Sequence, residues 1–314
     1  MQTATGISYA KIILIGEHAV VYGQPAIALP VPSVRLVATL APAASGQMIE
    51  SSFYHGALAA VTPAFAGIAK LIKALLAHFD ASAAPFTLTI ASMLPAERGM
   101  GSSAACSVAI IRAFYGAFAA PLTQTTLLNW ASLSEKAIHG NPSGLDAATV
   151  SADRPQWFVR GEQLQPIAFP SRGVLVIADT GVKGQTGQAV AAVATLLKQN
   201  PAQYGPLIEQ IGAATRLAAT ALGEDDLLAL GQQMTVAQQA LAQLGVSSSQ
   251  LNQLIEIANA HGALGAKLTG SGQGGCMIAL AANPAAAATI AAALTEAGAT
   301  ATWQYDFAQK ENPA

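Results

Sequence analysis

Apolar and polar positions along this chain follow two rhythms, one of period two and one of helical period. A β-branched run, Ile12 to Ile15, follows Lys11 and ends at Gly16, which predicts a strand and then a loop carrying Glu17 and His18. Val34 to Leu40 and Phe86 to Ile90 alternate well enough to predict two further strands. Helical spacing covers Ala57 to Phe79, with Pro63 near its start, then Ala104 to Ala119 and Leu127 to His139. The last of these stops at Gly140-Asn141-Pro142, where glycine ends a helix and proline forbids its resumption. Val174 to Ala178 is a continuous apolar strand, and Thr186 to His261 is helix-rich with Asn200-Pro201, Gly205-Pro206 and Gly223 as punctuation. The C-terminal part reads as a strand (Gly265 to Thr269), a glycine loop, a strand (Cys276 to Ala281), an Ala-rich helix (Pro284 to Ala297) and a strand (Ala301 to Phe307). That order predicts an α+β fold with helices layered on one face of a sheet. The Pro, Ser and Gly stretch from Pro166 to Gly173 suggests two domains, residues 1–170 and residues 171–314.

Composition narrows the classes. With 314 residues, 52% of them apolar, the chain has ample core material and disorder is excluded. A mean hydropathy of +0.42 raises the question of a membrane protein. Much of that average is alanine, however, and the longest uncharged stretch, Leu268 to Thr295, is broken by glycines and Asn283-Pro284, so no transmembrane helix is expected. The N-terminus shows no basic leader with an apolar core and cleavage site, which makes the cytoplasm the default expectation. A net charge of −2 without a basic stripe argues against nucleic acid as a partner. Two cysteines are too few for a disulfide framework.

The candidate chemistry begins at Pro95 to Ala105, which reads Pro-Ala-Glu-Arg-Gly-Met-Gly-Ser-Ser-Ala-Ala and runs straight into a helix. Gly99 and Gly101 allow tight turns that aim backbone N–H groups at an anion, and the helix adds its positive end. Ser102 and Ser103 offer hydroxyls to a phosphate oxygen or its metal ion. The same residues also suit a simple helix cap. The lysine of a Walker A loop is missing, so the loop is not of that class. Gly270-Ser271-Gly272-Gln273-Gly274-Gly275 satisfies the dinucleotide pattern G-x-G-x-x-G, but a strand rather than a helix follows it, which predicts a hairpin loop.

Ionisable residues cluster in two other segments. Glu17 and His18 interrupt an apolar run directly after a glycine turn and need water, partners or a substrate there. Glu135 and His139 lie four apart on one helix, and Asp146 follows the turn Gly140-Asn141-Pro142-Ser143-Gly144. Taken alone, these two features are equally a helical pair and a turn acceptor.

Together the segments Lys11 to Gly23, Pro95 to Ala105 and Lys267 to Cys276 resemble the three motifs of the GHMP kinases, in the right order along nearly the whole chain. Gly16-Glu17-His18-Ala19-Val20-Val21-Tyr22-Gly23 and His139-Gly140-Asn141-Pro142-Ser143-Gly144-Leu145-Asp146 look most like the mevalonate-phosphorylating members. The resemblance implies a GHMP kinase-like fold, with an N-terminal β/α domain, a C-terminal ferredoxin-like helix-on-sheet domain and the active site in the cleft between them. It implies transfer of the γ-phosphate of ATP to the primary hydroxyl of mevalonate, with Mg2+ as cofactor. Asp146 would be the catalytic carboxylate and Lys11 its cationic neighbour. Ser103 and Glu135 would hold the magnesium ion. Glu17, His18 and Thr186 would line the acceptor site, and Glu97, Arg98, Gly99, Met100, Gly101, Ser102, Ser103 and Ala104 would wrap the phosphates. A homodimer is a further family-based expectation.

Departures from the family pattern are local. Glu97-Arg98 stands where relatives carry glycine and a small residue, Met100 replaces a common leucine, and Ser271 and Gln273 stand where small residues are frequent. A phosphorylated acceptor would favour extra cations, and the sequence shows no added cluster beyond Arg98, Arg160 and Lys183. A non-catalytic relative should have lost Lys11 or Asp146, and both are present.

Overall fold

The computed structural model describes residues 1–95, 97–139, 144–162 and 164–308. In chain order the elements are strands β1 (Ala4–Ile15), β2 (Ala26–Pro42), β3 (Gln47–Ser51) and β4 (His55–Ala57), helix α1 (Ala66–His78), strand β5 (Phe86–Ser92), and helices α2 (Ser102–Ala117), α3 (Gln124–His139) and α4 (Leu145–Val150). There follow strands β6 (Gln156–Phe158), β7 (Gln165–Pro166) and β8 (Val174–Asp179), and helices α5 (Thr186–Gln199), α6 (Pro201–Gly223), α7 (Leu227–Gln243) and α8 (Ser249–Ala260). Strands β9 (Gly265–Thr269) and β10 (Cys276–Ala281), helix α9 (Pro284–Glu296) and strand β11 (Ala301–Asp306) complete it.

Two compact units divide the chain discontinuously. The first comprises Met1–Lys11, Pro30–Ala96 and Gly101–Ser151, the second Ile12–Leu29, Glu97–Met100 and Ala152–Ala314. The expected division at 170/171 rests on the Pro, Ser and Gly stretch, whereas the compact units follow strands β1 and β2, each of which contributes to both.

In the first unit β2 pairs antiparallel with β5, from Leu36 opposite Ser92 to Pro42 opposite Phe86, and β3 joins β5 in parallel. Phe86, Leu88 and Ile90 are buried while Thr89 and Ala91 are exposed, as the alternation requires. Helix α1 buries Ile68, Leu71, Ile72, Leu75 and Leu76, an apolar stripe at helical spacing. Strand β1 lies against α2 so closely that a β-carbon on Gly6 would sit 2.1 Å from the Ala109 carbonyl oxygen. Arg112 of α2 donates from Nη1 to the Ile7 carbonyl (2.6 Å) and from Nη2 to the Ser151 carbonyl (3.0 Å), and Ser8 Oγ donates to the Val150 carbonyl (3.0 Å). These bonds tie β1 and α4 together and fix where Lys11 and Asp146 project.

The predicted helix from Ala57 to Phe79 is shorter than its apolar spacing suggests. His55–Ala57 pairs with β3, Leu58–Ala60 and Pro63–Phe65 form 3-10 turns, and the helix starts only at Ala66. Thr62, forced out of the α region by Pro63, is extended at φ −70° and ψ 158°.

The second unit is built on an antiparallel sheet in the order β11-β8-β10-β9. Its central strands β8 and β10 are buried throughout, which explains their unbroken apolar sequences. Helices α8 and α9 pack on this sheet, α7 against β9, and α6 against α7. Side chains of Asn200, Asp226 and Asn283 cap α6, α7 and α9. Gly270 to Gly275 turns β9 into β10 with Thr269 opposite Cys276, so the G-x-G-x-x-G match is a hairpin loop. Among the described residues no helix is long and apolar enough to cross a membrane.

Candidate active site

Lys11 lies near the middle of β1, not at its start, and only 2% of it is exposed. The strand begins earlier than expected because Gly6 and Ser8 mask its apolar content. A buried ammonium needs a partner. Asp146, in the first turn of α4 after Gly144 at φ +84°, supplies it: Lys11 Nζ lies 2.9 Å from Asp146 Oδ1. The Asp146 side chain remains 41% exposed, so one end of the pair faces water. Gly101 makes room for this lysine, since a β-carbon there would stand 2.8 Å from Lys11 Cγ.

Glu135, late in α3, is almost fully buried. Its carboxyl is pushed up to about 7, first by burial and then by the Asp146 carboxylate, against the opposing pull of the Lys11 ammonium and a bond from the Ala147 N–H. Ser103 Oγ is buried with no hydrogen-bond partner among the described residues. Helix α2 starts after Gly101 at φ +74° without a side-chain cap, the arrangement that suits an anion. Met100 and Ala104 are buried, so each could meet a ligand only through its backbone. Among the described residues no group of three or more His, Cys, Asp and Glu could hold a metal by itself. Gly140 to Ser143 lies outside the described residues, as does the side chain of His139.

The remaining expected residues belong to the second unit. Gly16, at φ +108°, lets β1 turn where a β-carbon would meet Pro25 and Ala26 at 2.5 Å. The chain then places Glu17 and His18 inward. The Glu17 carboxylate accepts from the Lys267 ammonium, both fully buried. Burial lowers the pKa of Lys267, and Glu17 opposes the shift. His18 Nε2 donates to the Ser271 carbonyl at 2.9 Å, and burial lowers its pKa below 6.5. Thr186 Oγ1, at the start of α5, donates to Ser271 Oγ at 3.1 Å.

Glu97 and Arg98 are already engaged by side chains of their own unit. Lys183 Nζ lies 2.7 Å from Glu97 Oε2, and the Gly184 N–H donates to the Glu97 carbonyl at 2.7 Å. Arg98 Nε lies 3.0 and 3.1 Å from the two Asp179 oxygens, and Nη2 donates to the Gly181 carbonyl at 3.0 Å. Gly99, at φ +77°, passes Thr269 and Gly270 where a β-carbon would be 3.2 Å from the Thr269 oxygen. Lys267, Ser271 and Asp179 received no role from sequence reasoning. Lys267 carried a signal, a lone lysine within an apolar strand.

Among the described residues, a buried ammonium paired with an accessible carboxylate, a buried hydroxyl without a partner and an uncapped helix N-terminus are features that suit phosphoryl transfer, where positioning and charge stabilisation dominate. Residues 66–153 match the GHMP kinases N terminal domain, and residues 218–300 match GHMP kinases C terminal. Mevalonate kinase of Aeropyrum pernix is 34% identical over 280 residues, covering 86% of each chain. The chain belongs to the GHMP kinases. Among solved structures, L. major mevalonate kinase in complex with R-mevalonate has a TM-score of 0.84 and 28% identity, covering 98% of this chain and 97% of its own. Mevalonate kinase from methicillin-resistant Staphylococcus aureus MRSA252 has a TM-score of 0.78 and 30% identity, covering 98% of this chain and 100% of its own.

Proposed function

We propose that this chain phosphorylates the primary hydroxyl of mevalonate with ATP, giving 5-phosphomevalonate. The observation that carries the reading is the Lys11–Asp146 pair at 2.9 Å, in a chain with close mevalonate kinase relatives. An alcohol is a poor nucleophile. Asp146 holds the hydroxyl and accepts its proton, while the Lys11 ammonium stabilises the developing alkoxide. Backbone N–H groups of the segment from Gly99 to Ala104 hold the ATP phosphates at the α2 N-terminus. In this reading Glu17 and His18, both buried, and Thr186, bonded to Ser271, line the acceptor.

Magnesium fits the residues present. Ser103 Oγ, buried with no hydrogen-bond partner among the described residues, and the buried Glu135 carboxyl would hold the ion, as oxygen donors of the kind magnesium takes. When bound, the ion neutralises charge on the transferring phosphate. Assembly as a homodimer and a cytoplasmic location complete the reading by analogy with the family.

A phosphorylated acceptor is disfavoured by specific contacts. Arg98 and Lys183, two of the three cations weighed for a second phosphate, hold Asp179 and Glu97 instead. A coupled ADP-release assay with Mg2+ and mevalonate, phosphomevalonate or homoserine tests the assignment. Turnover concentrated on mevalonate is expected, and turnover confined to either of the others would overturn it.

A further inference from the structure

Two residues assigned to the acceptor, His18 and Thr186, share one partner. The Ser271 carbonyl takes a hydrogen bond from His18 Nε2 at 2.9 Å, and the Ser271 hydroxyl takes one from Thr186 Oγ1 at 3.1 Å. Ser271 is buried in the turn between β9 and β10, where Gly270 and Gly272 flank it at positive φ. A carbonyl can only accept, so His18 carries a proton on Nε2, and in the neutral ring Nδ1 then keeps its lone pair. Burial, which lowers the pKa of His18, keeps the ring neutral near pH 7. The Thr186 proton is committed to Ser271 as well, which leaves the Thr186 oxygen as a hydrogen-bond acceptor.

We propose that Ser271 is a positioning residue that presents His18 and Thr186 as hydrogen-bond acceptors, so that this part of the site reads hydroxyl groups and disfavours carboxylate or phosphate. The inference rests on the acceptor assignment made under Proposed function. Chemically, an anionic group brings no proton to share and would face two lone pairs.

Steady-state kinetics of wild type, Ser271→Ala, Thr186→Val and the double variant test it. Ser271→Ala keeps the carbonyl that anchors His18 but frees the Thr186 hydroxyl to rotate. The KM for mevalonate should rise about 3- to 10-fold while the KM for ATP stays within about twofold. On a Thr186→Val background, Ser271→Ala should add nothing further, because its effect passes through Thr186. An unchanged KM for mevalonate in Ser271→Ala, equal losses for both substrates, or additive losses in the double variant would overturn the role of Ser271. A wild-type protein that leaves mevalonate unphosphorylated is a separate result. It would overturn the acceptor assignment, and the inference with it.

Discussion

Glu17 and Lys267 bury opposite charges completely, and their value lies in being together. Removing one partner strands the other in a low-dielectric interior, whereas replacing both with apolar groups is often close to neutral. Lys267→Met should therefore lower the unfolding free energy by about 3–5 kcal/mol. Adding Glu17→Leu should recover much of that loss. Urea denaturation of the two variants checks this, and a double variant as unstable as the single one would contradict it. His18 makes a prediction of its own. Its folded pKa lies below 6.5, so below that pH the unfolded chain binds a proton that the folded chain refuses. Stability present above pH 6.5 is lost as pH falls towards the folded pKa, at about 1.4 kcal/mol per unit. Melting curves between pH 7.5 and 5.5 should show wild type losing more than His18→Gln. Parallel pH profiles would remove His18 as the cause.

At the scale of elements, the segment from Glu97 to Gly101 is held by contacts rather than by propensity. The Asp179 carboxylate grips Arg98, Gly184 bonds the Glu97 carbonyl, and Gly101 leaves space for Lys11. Gly101→Ala combines a left-handed backbone with a β-carbon 2.8 Å from Lys11 Cγ. It should cost about 1–3 kcal/mol of stability and lower kcat by displacing the ammonium. Calorimetry with kinetics reads both, and an unchanged kcat would separate Gly101 from the lysine. Elements whose burial follows their own period were legible in the sequence: β5 from its alternation, β8 and β10 from their unbroken apolar runs. Strands β3 and β4 were not, because Gln47, Glu50 and Ser51 interrupt one and the other is only three residues long. The start of α1 was obscured because alanine suits a helix, a 3-10 turn and a strand end alike. Among the candidate residues, Glu17 and His18 stood out as polar groups in an apolar run after a glycine turn, whereas Lys11 and Asp146 took their roles from the motif resemblance. Ser271 and Asp179 did neither. Their importance is a matter of who meets whom across more than eighty residues of chain.

For the whole molecule, the two compact units are each assembled from distant stretches, and the first motif is divided between them along β1. Lys11 closes the opening stretch of one unit, while Glu17 and His18 belong to the other. Under the proposed function, Lys11 and Asp146 of the first unit carry the chemistry, and Glu17, His18 and Thr186 of the second carry acceptor recognition. Substitutions should sort accordingly, with Asp146 governing turnover and Thr186 governing the KM for mevalonate. The most direct test is kcat for mevalonate in Asp146→Asn, measured beside nucleotide binding by calorimetry. If Asp146 acts on the acceptor hydroxyl, kcat falls about 10²- to 10⁴-fold with ATP affinity within a few-fold of wild type. A variant that turns mevalonate over at close to the wild-type rate would contradict it.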